Sequence, residues 1–189
     1  MLTILIPAAG SATRMRGGDK LLERVQGHAM LRHQALLALA ITPAVLVTLR
    51  DPDPARAAAL DGLPVTILPT PDAATGMSAS LRRAAHVQTD LMILPADMPD
   101  LTEADLRALI AAHRPGTILR GASDNGRPGH PVLLPACLVP DLASLTGDHG
   151  ARNLLHQHPV QLFTLPGQHA LTDLDTPEDW TRWRALRGE

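Results

Sequence analysis

The stretch between Gly10 and Lys20 carries the strongest chemical signal in the chain. It follows a short apolar run and combines small residues with the cations Arg14, Arg16 and Lys20. Backbone N–H groups of a small-residue loop bind phosphate groups when fixed positive charges stand beside them. The alternative is a flexible surface loop, but a long unstructured connection in a compact domain is more often functional. The loop has neither the Gly-x-Gly-x-x-Gly pattern of dinucleotide-binding folds nor a Walker A pattern around its lysine.

Lys20 is the only lysine among the 17 basic residues of the chain, and the rest are arginines. The two cations differ in shape and hydration, so a chain that uses arginine elsewhere keeps lysine where a compact point charge is required. The alternative is a surface cation without a role. Because Lys20 ends the Gly-rich loop, we interpret it as a functional residue.

Two aspartates follow apolar stretches and are candidates for holding a divalent cation. Asp97 lies between Pro95 and Pro99, directly after an apolar run, and Asp175 precedes a helix start. Mg²⁺ on a polyphosphate needs few protein carboxylates, because phosphate and water supply its other ligands. The alternatives are a turn or cap role for Asp97 and helix capping by Asp173 or Asp175.

Three further segments carry weaker signals. Gly76-Met77-Ser78-Ala79-Ser80 places two hydroxyls at a helix start, where they either bind a ligand or cap the helix. Gly147-Asp148-His149-Gly150-Ala151-Arg152 runs into another helix and allows the same two interpretations. His130, between Gly129 and Pro131, is a candidate substrate contact.

Composition excludes several other kinds of site and partner. The single cysteine, Cys137, excludes an intramolecular disulfide framework and a cysteine-rich zinc site. The nine histidines show neither metal-ligand spacing nor a neighbouring nucleophile suited to a catalytic triad. A formal net charge of −2 argues against a nucleic-acid or anionic-membrane surface. Without a signal-peptide pattern or an unbroken membrane-length apolar stretch, we expect a cytoplasmic protein with no nucleic-acid or membrane partner.

The elements that must position these residues alternate between strand and helix. Apolar runs predict strands over residues 2–6, 44–49, 65–68, 91–94, 117–119, 132–134 and 160–165. Helical spacing and capping signals predict helices over residues 30–41, 77–87, 103–113, 138–145 and 151–156, and from Pro177 onward. This alternation predicts one α/β domain over residues 1–189, a three-layer α/β/α Rossmann-like sandwich with a mostly parallel central sheet. Ligands bind beyond the carboxyl ends of the strands in such sheets, where the Gly-rich loop begins.

In this order, the motifs resemble those of the molybdenum cofactor cytidylyltransferases, within the nucleotide-diphospho-sugar transferase-like superfamily that includes guanylyltransferases of the same cofactor. The family opens with Leu-Ala-Ala-Gly-x-Ser-x-Arg-Met-Gly-x-x-Lys-Leu-Leu. The matching residues are Pro7-Ala8-Ala9-Gly10-Ser11-Ala12-Thr13-Arg14-Met15, then Arg16, then Gly17-Gly18-Asp19-Lys20-Leu21-Leu22. The other matching motifs are Gly76-Met77-Ser78-Ala79-Ser80-Leu81, Asp97-Met98-Pro99, Gly129-His130-Pro131-Val132, Gly147-Asp148-His149-Gly150-Ala151-Arg152 and Asp173-Leu174-Asp175-Thr176-Pro177-Glu178-Asp179. The departures are Pro7 for leucine, Ala12 for serine, and Arg16 as one extra residue.

The resemblance implies a Mg²⁺-dependent transfer of CMP from CTP to the phosphate of molybdopterin, with release of pyrophosphate. No protein nucleophile is required, because positioning and charge neutralisation supply the catalysis. The resemblance assigns Arg14, Lys20 and Asp97 to catalysis, and Asp97 with Asp175 to Mg²⁺. It implies that the acceptor is bound by His130, Asp148 and Arg152. It implies that the nucleotide is bound by Ala8, Ala9, Gly10, Ser11, Arg14, Lys20, Gly76, Ser78 and Ser80.

The same analogy bears on the base, the recipient and the alternatives. Ala9 favours CTP over GTP, because guanylyltransferases usually have a second glycine at this position. The product would pass to a molybdenum hydroxylase. The alternatives are a guanylyltransferase and a nucleotidyltransferase for another phosphorylated acceptor, such as a sugar phosphate. A non-catalytic nucleotide- or cofactor-binding carrier is the alternative of a different class, and retention of Arg14, Lys20, Asp97 and Asp175 argues against it.

Overall fold

A computed structural model describes residues 1–147 and 150–187 of the chain. The strands in these ranges are β1 (Leu2–Pro7), β2 (Arg24–Val25), β3 (His28–Ala29), β4 (Val45–Leu49), β5 (Thr66–Pro69), β6 (Asp90–Ile93), β7 (Ile118–Ala122), β8 (Pro128–Leu134) and β9 (Val160–Thr164). The α-helices are α1 (Met30–Leu39), α2 (Pro54–Ala59), α3 (Met77–Arg82), α4 (Glu103–Ala112), α5 (Arg152–Gln157) and α6 (Pro177–Arg187). Short 3-10 helices cover Thr13–Met15, Ala73–Thr75 and Ala136–Ser144. No helix in the described ranges is long and apolar enough to cross a membrane.

The central sheet has the strand order β5-β4-β1-β6-β8-β7-β9. Its strands run parallel except for β8, which is antiparallel to both β6 and β7. The connection from β7 to β8 is far too short for the crossover that a parallel pair requires, so the chain turns back as a hairpin. The start of β8 therefore lies at the same edge of the sheet as the carboxyl ends of β1 and β6. The prediction of a mostly parallel central sheet is confirmed.

Both faces of the sheet are covered, and β1 shows why. Ile4 and Ile6 point into a buried cluster that contains residues of α1 and α4. Leu5 points into a second cluster with residues of α3, α5 and the 3-10 helix Ala136–Ser144. Successive strand residues face opposite sides, so a strand that is apolar throughout must be buried on both. The predicted three-layer arrangement follows from these two clusters.

Helix α6 packs against the loop after β1. Trp180 and Trp183 pack edge to face with ring centroids 6.0 Å apart, in a buried cluster that includes Met15 of that loop. Both tryptophans are therefore packing residues. Asp175, two residues before the start of the helix, is thereby held beside the loop.

Several local structures differ from the sequence prediction. Helix α3 ends at Arg82, five residues before the predicted end at residue 87. Helix α2 and the β2–β3 ribbon were not predicted; the ribbon turns through Gln26 and Gly27, both with positive φ. Such a turn usually carries Asn-Gly or Asp-Gly, so its sequence signal was absent. The helix predicted over residues 138–145 is a 3-10 helix containing Pro140. Proline has no N–H to donate and crowds the preceding turn, which disfavours a regular α-helix there.

Candidate functional site

Lys20 bridges two carboxylates from distant parts of the chain. Its Nζ donates to Oδ2 of Asp97 at 2.5 Å and to Oδ1 of Asp175 at 2.6 Å. The three side chains keep only 17–20% of their surface exposed. Burial by itself would lower the pKa of Lys20, but the two carboxylates outweigh burial and raise it. The ammonium is therefore charged at neutral pH.

Arg14 extends this chain of charges toward solvent. Its Nη1 lies 2.6 Å from Oδ2 of Asp175, and 68% of its side chain is exposed. The cleft between Lys20, Asp175 and residues 11–14 holds about 20 Å³ of free volume, which is room for about one water molecule. A phosphate group is larger than this volume, so it can enter the cleft only if the lining side chains move apart.

Asp173 adds negative charge to the same region. Burial, followed by the charges of Asp175 and Asp97, raises the pKa of Asp173 although Lys20 acts against this. The sequence suggested only a capping role for this residue. In the structure, Asp173 lies near enough to Asp97, Asp175 and Lys20 for their charges to act on its carboxyl group.

A buried arginine that the sequence analysis did not single out, Arg56, supports the loop after β1. Arg56 of α2 is 1% exposed and donates to the carbonyls of Ala8 and Gly10 and to the carboxylate of Asp19. Because the chain contains many arginines, residue type alone did not mark Arg56 as a functional residue. The available sequence signal was the helix start beside it, where Asp53 caps α2.

Arg16, the extra residue of the loop, adopts a left-handed conformation with φ of 51°. Its guanidinium lies 2.7 Å from the carboxylate of Glu178 at the start of α6. Arg16 therefore ties the loop to the start of α6.

The segment from Gly76 to Ser80 forms a separate group around the start of α3. Gly76 has φ of 110° and ψ of −175°, a combination that favours glycine. Ser78 and Ser80 are buried; the Ser78 N–H donates to Gly147 O at 3.3 Å, and its hydroxyl accepts from Arg82 at 3.2 Å. The bond to Gly147 connects the predicted nucleotide segment to the loop predicted to contact the acceptor.

His130 stands at the start of β8, before a cis bond to Pro131. Its Nδ1 is buried and has no hydrogen-bond partner among the described residues. Burial, followed by the charge of Arg120, lowers the pKa of His130 to about 4 despite the opposing charge of Asp97. The ring is therefore neutral at pH 7. It lies near enough to Asp97, the partner of Lys20, to be affected by its charge, and at the same edge of the sheet.

Arg120 lies beside this histidine, and Arg152 lies near Arg120. Arg120 donates from Nε to Gly129 O at 2.8 Å. Burial and then the positive charge of Arg152 lower the pKa of Arg120, and no carboxylate of the described residues offsets this repulsion. The sequence singled out Arg152 but missed Arg120, which sits within a strand. Asp148, the third predicted acceptor residue, lies outside the described residues.

Comparison with known proteins identifies the family. The sequence profile of the MobA-like NTP transferase domain matches residues 4–162, most of the chain. The chain belongs to this family. It is 29% identical to nicotine blue oxidoreductase from Paenarthrobacter nicotinovorans, over 96% of this chain and 95% of that protein. It is 30% identical to a molybdenum cofactor guanylyltransferase from Pseudomonas paraeruginosa, over 93% and 91% of the two chains.

A solved structure shows the same arrangement of elements. Rv0371c from Mycobacterium tuberculosis H37Rv matches with a TM-score of 0.83 at 27% identity, covering 96% of both chains. A second structure of that protein, a complex with manganese, matches with a TM-score of 0.75, again at 27% identity and 96% coverage of both chains. This MobA-like chain is accordingly a nucleotidyltransferase with the predicted α/β fold.

Proposed function

We propose that this nucleotidyltransferase transfers CMP from CTP to the phosphate of a molybdopterin-type cofactor and releases pyrophosphate. One observation carries the proposal: Arg14, Asp175, Lys20 and Asp97 form a continuous chain of ion pairs at the carboxyl edge of the sheet. Such a set offers two cations for a triphosphate and two carboxylates for its counter-ion. The guanylyltransferase relative supports the class of acceptor.

The reaction needs no protein nucleophile. An oxygen of the acceptor phosphate attacks the α-phosphorus of the nucleotide and forms a new P–O bond. The bond from this phosphorus to the oxygen of the β-phosphate breaks, and pyrophosphate leaves with the electron pair. The attacking oxygen is already ionised near neutral pH, so the chain has to position the two phosphates and neutralise the leaving group. Arg14 and Lys20 would do this after releasing Asp175.

Mg²⁺ is the cofactor that we propose at Asp97 and Asp175. The residues fit it, because the two carboxylates converge on one ammonium group and can therefore serve one cation. The described residues hold no group of three or more His, Cys, Asp or Glu side chains suited to a metal. Two carboxylates suit a Mg²⁺ ion whose other ligands come from phosphate and water. When bound, the ion would neutralise triphosphate charge, and the manganese complex of the M. tuberculosis relative supports a divalent cation.

The remaining predicted residues divide between the two substrates. We assign base and ribose to Ala8, Ala9, Gly10, Ser11, Gly76, Ser78 and Ser80. The acceptor side would use the neutral ring of His130 and the positive charge of Arg152, joined by Arg120. Paired arginines suit an anionic acceptor because they bind phosphate oxygens with planar forks. Asp148 remains a prediction for this side, as does a molybdenum hydroxylase as the recipient of the product.

The identity of the base rests on Ala9. This residue is buried two residues after the end of β1. The resemblance to the cytidylyltransferases favours CTP, because guanylyltransferases usually have glycine at this position. Guanylyl transfer from GTP is the alternative, and the guanylyltransferase relative favours it.

Thermal unfolding with CTP, GTP, UTP and ATP, each with and without Mg²⁺, tests the proposal. We expect the largest Mg²⁺-dependent rise with CTP; ligand at 100 times its Kd adds about 2.7 kcal/mol to the free energy of unfolding. For a chain of this size, that corresponds to a rise in Tm of roughly 5–10 °C. Transfer of label from α-³²P-CTP to molybdopterin, with equal release of pyrophosphate, then measures the reaction.

Each other result has a definite meaning. The largest shift and turnover with GTP would replace CTP by GTP. Nucleotide binding followed by transfer only to sugar phosphates would contradict the acceptor. No shift and no pyrophosphate release with any nucleotide would contradict the whole proposal and favour a non-catalytic carrier.

A further inference from the structure

The guanidinium of Arg56 lies beneath the loop after β1 and holds both of its ends. Nη1 donates to Ala8 O at 2.6 Å and to Gly10 O at 2.8 Å, where the loop begins. Nε and Nη2 donate to Oδ2 and Oδ1 of Asp19 at 2.7 and 2.9 Å, where the loop ends. Lys20 follows directly. One buried side chain thus sets the distance between the first and last residues of the loop.

The carbonyl bonds of Arg56 also determine where the loop's N–H groups point. Both peptide bonds concerned are trans, since the cis bonds of the described residues lie elsewhere. In a trans peptide the C=O and N–H point in opposite directions. With the carbonyls of Ala8 and Gly10 turned to Arg56, the N–H groups of Ala9 and Ser11 point away from it. Neither donates to a backbone carbonyl in the described part of the chain. Ser11 is exposed, so its N–H is available to a ligand, whereas Ala9 is buried.

At the other end, the carboxylate of Asp19 is an ionised partner for Arg56. Burial would raise the pKa of Asp19, but hydrogen bonds from Arg56 and from the Leu21 N–H outweigh it and lower that pKa. Oδ1 of Asp19 accepts from Leu21 N at 3.0 Å, which fixes the backbone on both sides of Lys20. A planar guanidinium can serve a carboxylate and two carbonyls at once, whereas an ammonium group cannot reproduce that fork.

We propose that Arg56 is the positioning residue of the nucleotide site: it holds the N–H group of Ser11 and the backbone of Lys20 in the geometry that binds the triphosphate. Arg56 itself is buried and acts through the loop without touching the substrate. The inference rests on the proposed function, because it requires this loop to bind a nucleoside triphosphate. It makes α2, which supplies no other residue to the site, a part of the nucleotide-binding machinery.

The first test compares Arg56→Lys with a matched variant of the same type. Arg32→Lys is the control, because Nη1 of Arg32 donates to the carbonyls of Ala59 and Asp61 at the far end of α2. The measurements are the Kd for Mg²⁺–CTP and Mg²⁺–GTP, the KM for nucleotide and for acceptor, and the Tm. We expect Arg56→Lys to raise nucleotide Kd and KM about tenfold or more, with the acceptor KM unchanged. Arg32→Lys should keep wild-type values of Kd and KM.

Asp19→Asn tests the same fork from its other end. It should weaken nucleotide binding as well, and the double variant Arg56→Lys/Asp19→Asn should bind no more weakly than the worse single variant, because both substitutions break one unit. If Arg56→Lys does not fold, Asp19→Asn decides the question by its own nucleotide Kd.

The outcomes separate this inference from the function on which it rests. A folded Arg56→Lys variant with wild-type nucleotide Kd would overturn the inference alone, as would an equal loss in Arg32→Lys. Wild-type affinity in Asp19→Asn would also overturn it. A wild-type protein that binds no nucleotide would overturn the proposed function, and the inference with it.

Discussion

Removal of the ammonium group of Lys20 tests the ion-pair chain most directly. Lys20→Met keeps most of the side chain's length and its apolar stem. Asp175 retains Arg14 as a partner, but Asp97 loses the one cation that lies within ion-pair distance of it among the described residues. The variant therefore leaves one carboxylate unpaired in a mostly buried position.

The magnitude follows from the burial of the pair. Breaking a fully buried ion pair from one side costs about 3–5 kcal/mol, whereas an exposed pair contributes about 0–1 kcal/mol. Lys20 and Asp97 keep 18% and 20% of their side-chain surface exposed, which lies between these cases. We expect the free energy of unfolding to fall by about 2 kcal/mol, and Tm by roughly 4–8 °C for a chain of this size.

Urea unfolding at neutral pH and low salt, with EDTA present, measures this loss. Lys20→Met/Asp97→Asn should recover most of it, because a neutral amide no longer needs a cation. Addition of MgCl₂ should stabilise Lys20→Met more than the wild type, since no ammonium competes for the carboxylates. A Lys20→Met variant within about 0.5 kcal/mol of the wild type, the usual range of neutral surface substitutions, would refute this reasoning.

Four further predictions concern single substitutions. Asp97→Asn should lower kcat by about 10³-fold or more, measured as pyrophosphate release; full turnover would contradict its assignment to Mg²⁺. Lys20→Arg should lower kcat/KM about tenfold or more, because a planar guanidinium does not fit where a compact ammonium group bridges two carboxylates. Unchanged kinetics would contradict a functional requirement for lysine at this position. The folded pKa of His130, about 4, lies below the ordinary 6.5, so its neutral ring contributes stability above pH 6.5 that is lost as pH falls toward 4. His130→Gln should therefore flatten the dependence of unfolding free energy on pH across this window, and an unchanged slope would argue against it. A Cβ on Gly129 would overlap the carbonyl of Ala170, so Gly129→Ala should fail to fold or lose about 3 kcal/mol or more; a wild-type Tm would contradict the packing.

Local chemistry made several features readable from the residues alone. Thr102 and Asp105 form a capping box whose two hydrogen bonds join residues three apart, and the predicted start of α4 is confirmed. The apolar strands were predictable because residues buried on both faces must all be apolar. Lys20 stood out by type against the arginines. The order of motifs predicted a nucleotidyltransferase, which the family match confirms, whereas CTP and Mg²⁺ stay predictions.

The positions of these residues in space depended on contacts between distant segments. Lys20 and Asp175 are 155 residues apart in the chain yet share a hydrogen bond, and the sequence could only suggest that their segments meet at one edge of the sheet. Only the packing of α2 against the loop showed the role of Arg56, because the sequence does not distinguish a buried arginine from a solvent-exposed one. Capping and periodicity are properties of neighbouring residues, whereas charge pairing is set by how the layers pack. The sequence alone therefore indicated which residues could do the chemistry. The packing of α2 and α6 against the loop after β1 placed the charged groups of the site within hydrogen-bond distance of one another.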